Sequence, residues 1–73
     1  MVTFSVFFYS NENDEPIHVH VESGSGVAKI WLEPEIKVAY MHQLSPREQR
    51  YIMELLMQYS EYFKSRWYGY FSQ

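Results

Sequence analysis

The sequence predicts an α+β fold: a four-stranded antiparallel sheet in meander order with one long C-terminal helix packed on one face, all within a single domain spanning residues 1–73. Three observations predict it. Residues 1–41 contain four runs in which apolar side chains alternate with period two, the repeat of a half-buried strand. The links between those runs are short and rich in Gly, Pro, Ser and acidic residues, which favours pairing of consecutive strands. From residue 45 onward the apolar period lengthens to that of an amphipathic helix.

The first strand places Val2, Phe4, Val6 and Phe8 on one face, with Thr3, Ser5, Phe7 and Tyr9 on the other. The polar, acidic stretch Ser10-Asn11-Glu12-Asn13-Asp14-Glu15-Pro16 reads as a surface loop, and Pro16 then opens the second strand, where no ladder donor is needed. That strand, Pro16-Ile17-His18-Val19-His20-Val21, is the centre of the chain: Ile17, Val19 and Val21 face the helix, and His18, His20 and Glu22 line the opposite face. Ser23-Gly24-Ser25-Gly26 is a hairpin turn whose two glycines are expected to supply positive φ. It is not a phosphate cradle, because a third glycine and a following helix are absent. A third strand over residues 27–32 leads through Glu33-Pro34-Glu35 into a fourth over 36–41, where Ile36, Val38 and Tyr40 alternate against Lys37, Ala39 and Met41.

The helix start carries the clearest local signal. Ser45 is the N-cap, Pro46 the first helical residue, and Glu48 closes a capping box. Ile52, Leu55, Leu56, Tyr59, Phe63, Trp67 and Tyr70 form the expected buried stripe. Glu48 and Arg66 lie on its margin, Arg47, Arg50, Glu54, Gln58 and Glu61 point away, and Gly69 frays the end.

Composition narrows the function classes. Net charge is −3, which offers no overall basic footprint for nucleic acid, although residues 45–73 hold four basic against three acidic side chains. Without cysteine there are neither disulfides nor thiolate ligands nor a thiol nucleophile, and a cytoplasmic location is the simpler expectation. No apolar run approaches a membrane span and the first nine residues lack a basic n-region, so no membrane association or signal peptide is expected. A chain this short buries only roughly 60% of its extended surface, yet 19% of its residues are aromatic. That surplus points to a dimer or partner surface on the sheet face the helix leaves open.

On that face His18 and His20 can act as general acid and base. With Glu22 or His42 they can chelate a divalent metal, and as ordinary sheet residues they can simply pack against Phe7 or Trp31. Metal is the least favoured of these readings, and neither a metal nor any other cofactor is expected. Arg47 and Arg50 share a turn and can meet phosphate or carboxylate, although a solvated helix face is the favoured account of them. Glu22, Trp31 and Arg47 are the expected binding residues, with His18, His20 and Arg50 as the catalytic candidates should there be an activity. If the histidines are surface residues, replacing both with glutamine costs no more than about 1 kcal/mol.

The Pro-x-His-x-His-Val run, the Gly turn, the strand containing Ala28 and Ile30 and the helix ending in Trp67 together resemble the small bacterial family known as domain of unknown function 4160. Ile17 and Val19 stand where that family more often has proline and phenylalanine. The resemblance implies one member of a toxin-antitoxin-like two-gene pair. Such a role brings a small cognate partner protein or a homo-oligomer, with RNA as a further target. The expected function is therefore a protein-binding module, and the alternative is a small metal-independent ribonuclease-like toxin using His18 and His20.

Overall fold

The computed structural model describes residues 4–8 and 14–71. Strands β1 (Ser5–Phe7), β2 (His18–Ser23), β3 (Gly26–Trp31) and β4 (Lys37–His42) form one antiparallel sheet in the order β1-β2-β3-β4, and α1 (Pro46–Phe71) follows. This is the expected α+β meander with one long C-terminal helix. Val2, Thr3 and Tyr9 lie outside the described residues. Val6 pairs with Val21, and Val21 with Ala28, so the helix-facing rows align across three strands. Ile17, Val19, Val21, Ala28, Ile30 and Leu32 meet Leu44, Ile52, Leu56 and Trp67 in the core, and Ile30 and Leu56 are completely buried. Sheet and helix thus each bury one apolar face, which removes most of the chain's large aliphatic surface from water.

β4 and the hairpin depart from the expected pattern. Strict alternation from Ile36 to Met41 would put these two residues on opposite faces, yet both are half-buried against the core. A register shift between Lys29 and Ile30 explains it: Lys29 pairs with Tyr40 but Ile30 with Val38, so one extra residue of β4 flips the phase. In the turn, Gly24 alone among the glycines has positive φ, +59°, and Ser25 does not share it. With Ser23 paired to Gly26, this is the pattern of a type II′ hairpin. Gly26 is required for room instead, since a Cβ there would press on Leu44 and lie 2.5 Å from the Gln43 carbonyl oxygen.

The helix opens with the expected capping box. Ser45 Oγ accepts from the Glu48 backbone N–H at 3.1 Å, and Glu48 Oε1 accepts from the Ser45 N–H at 2.9 Å. The Ser23 hydroxyl also donates to Glu48 Oε2 at 3.1 Å, tying the β2–β3 hairpin to the helix start. The Ser45 N–H, then the Ser23 and Ser45 hydroxyls, hold the Glu48 carboxyl below its ordinary value of 4.5. A lowered folded-state value means that this carboxylate stabilises the fold above about pH 4.5 and ceases to do so as pH falls below it. Ser45→Ala is expected to cost about 1 kcal/mol in urea denaturation. The stability gap between the parent and Glu48→Gln should narrow on acidification below pH 4.5.

Farther along, α1 continues through Gly69 to Phe71, so the expected fraying does not occur there, and it is kinked at Tyr59 (φ −114°, ψ 23°). Ile52, Leu56 and Trp67 are buried and Phe63 half-buried, but Tyr59 and Tyr70 are 46% and 49% exposed. Tyr59 sits at the kink itself, where the backbone leaves helical geometry, and Tyr70 lies in the last turn, where its ring meets Phe8 edge-on and keeps its remaining surface in solvent. Among the described residues no helix is long and apolar enough to cross a membrane.

Candidate functional site

Alternation along β2 sends His18, His20 and Glu22 to the face away from Val19 and Val21, as the sequence requires, but that half of the face is not open. His18 is completely buried and His20 is 8% exposed. The reason lies in what flanks them. The His18 ring meets Trp31, its partner on β3, at 5.2 Å, Trp67 of α1 at 5.1 Å, and His20 at 5.2 Å. His20 in turn stacks on Phe7 of β1 at 5.7 Å with an interplanar angle of 21°. The histidines are therefore part of an aromatic seam and not surface residues, and glutamine cannot replace both at a surface-residue cost.

The seam is also polar in a defined way. Nδ1 of His18 lies 2.8 Å from the Pro16 carbonyl oxygen, which can only accept, so Nδ1 carries the hydrogen and donates. Nε2 lies 3.8 Å from Glu15 Oε1, and the same oxygen accepts from Lys29 Nζ at 3.0 Å. The Lys29 ammonium sits 4.5 Å from the centre of the Trp31 ring, a cation–π distance. Glu15, Lys29 and Trp67 thus complete a cluster that the sequence did not single out. The near signal was Glu15 three residues before His18, but the contributions of β3 and α1 depend on tertiary placement.

The other candidates fall elsewhere. Glu22 is exposed and pairs across the sheet with Val27, which pairs with His42 on β4. Trp31 is half-buried in the seam. Arg47 lines a cleft at the helix start with Phe4, Glu48 and Tyr51, while Arg50 is exposed. The small depression at His20 is lined by Phe7, Glu22 and Tyr40 among others, and no arginine is among the residues around it. Phosphate-binding and acid–base candidates are not brought together. Among the described residues no three His, Asp or Glu side chains are placed to hold a metal ion.

What remains open is the β4 side of the sheet. Every β4 residue except Met41 is exposed, with Val38 at 41% and Tyr40 at 37%, and Tyr40 stacks on His42 at 5.2 Å. The class defined by these features is a small two-layer α+β domain with a buried histidine pair and an exposed terminal strand, β4. The chain belongs to the family described as Domain of unknown function (DUF4160), whose model matches residues 4–68. No curated protein and no solved structure matches it.

Proposed function

We propose that the protein is a protein-binding module, the toxin-like or antidote-like member of a two-gene pair, acting in the cytoplasm, and that it takes its partner on the exposed edge of β4. The observation that carries this reading is the state of that edge. A terminal six-residue strand with a single charged side chain, Lys37, presents Val38 and Tyr40 to solvent. Such an edge offers a row of backbone donors and acceptors to an incoming strand, while the alternate side chains supply selectivity. The occupant is an extended segment of the cognate protein; a second copy of the chain can use the same edge when that protein is absent. Burial of His18 speaks against the ribonuclease alternative, because a ring without solvent access does not reach a phosphodiester.

The test is co-expression with the product of the neighbouring gene. The two proteins should co-purify, and Val38→Lys combined with Tyr40→Lys should weaken the complex at least about tenfold with an unchanged circular dichroism spectrum. The same double variant should remove any self-association seen by sedimentation, and growth on overexpression reads the toxin-like role. Undiminished binding by a folded double variant would refute the assignment.

A further inference from the structure

We propose that the cleft between the end of β1 and the C-terminal half of α1 binds a small carboxylate with an apolar body. It has a volume of about 340 Å³, within the range of roughly 300–1,000 Å³ typical of small-ligand sites. Its lining includes Phe8, Phe63 and the almost fully buried Val19, together with the exposed side chains of Tyr62, Arg66 and Tyr70. Apolar walls with a few polar groups at one side are the ordinary composition of a site that takes an amphipathic molecule. Ring contacts hold the walls: Phe8 meets Trp67 at 5.3 Å and Tyr70 edge-on at 5.0 Å.

The charge of the ligand follows from Arg66. Lys29 is paired with Glu15, and Lys64 lies 3.6 Å from both Glu33 and Glu61. Among the described residues no carboxylate lies within ion-pair distance of Arg66. The cleft at Arg47 differs, since Glu48 lines it as well and supplies the opposite charge from within. A guanidinium is planar and always protonated, and it takes a carboxylate through two parallel hydrogen bonds. Tyr62 and Tyr70, which also line the cleft, each carry a hydroxyl able to donate. A bare inorganic anion would leave the aromatic walls unused, so the occupant is a free monocarboxylic acid with an aromatic or short aliphatic body.

The probe is 3-phenylpropionate, titrated into the ¹⁵N-labelled protein and followed by amide and indole shifts. Its neutral counterpart, 3-phenylpropan-1-ol, serves as the comparison. Saturable shifts should cluster at Val6, Phe8, Phe63, Arg66 and the Trp67 indole, and the alcohol should bind at least about tenfold more weakly. Arg66→Gln, an exposed substitution, should reduce the affinity for the acid to that for the alcohol. Equal binding of acid and alcohol, shifts centred away from this cleft, or no shifts at millimolar probe would each overturn the proposal. The acid–alcohol comparison decides the matter even if the variant folds poorly.

Discussion

His18→Ala is expected to destabilise the protein by about 3 kcal/mol, read as a fall in the urea midpoint with an unchanged slope. Two effects add. Removing the imidazole empties a fully buried site bounded by Trp31, Trp67 and His20, whose rings lie 5.1 to 5.2 Å from it. The flat rings, fixed on β2, β3 and α1, limit collapse into the space. The substitution also takes the donor from the Pro16 carbonyl, which His18 Nδ1 meets at 2.8 Å. On the usual per-residue scale a 73-residue domain has a total stability of about 4 to 11 kcal/mol, so this one side chain accounts for a large share. His42→Ala is the comparison: that ring is exposed on β4, and its loss should stay within about 0.5 kcal/mol.

Gly26→Ala should cost a similar amount, about 3 kcal/mol, through an unrelated mechanism. The added Cβ would press on the Leu44 side chain and approach the Gln43 carbonyl oxygen to 2.5 Å. Neither neighbour yields easily. Leu44 is buried in the core, and Gln43, which already holds a positive φ of 56°, makes the turn that brings the chain to the Ser45 cap. Relief would therefore have to move the start of α1 away from the hairpin, lengthening the bond from Ser23 to Glu48. Gly24→Ala separates the two roles of glycine here. Nothing lies within 4 Å of its Cβ, so only the φ of +59° is strained, and the cost should be about 1 kcal/mol.

The contrast between these glycines shows what the sequence can and cannot disclose. A two-residue turn between alternating runs is a local signal, and Gly24 satisfies it by its own dihedral angle. The demand on Gly26 comes from residues 43 and 44, just past the far end of β4, and no local pattern carries it. The same division runs through the site. The Ser45–Glu48 box and the alternation of β2 are nearest-neighbour chemistry, so the cap and the facing of His18 and His20 were legible. Burial of that face was not, because it depends on Trp67 arriving from 49 positions along the chain and on Lys29 bringing its charge to Glu15. The β4 phase shift was hidden for a similar reason: alternation from Ile36 to Met41 looks unbroken until pairing with β3 inserts the extra residue.

Sealing of the histidine seam is the central claim, and its most direct test is the rate at which diethyl pyrocarbonate modifies each histidine of the native protein, resolved by peptide mass spectrometry. His42 should react freely, and His18 should react about a hundredfold more slowly or less, becoming available only through opening of the fold. Modification of His18 within a few-fold of the His42 rate, in protein that remains folded throughout, would contradict the sealed seam and return His18 and His20 to the list of candidate acid–base residues.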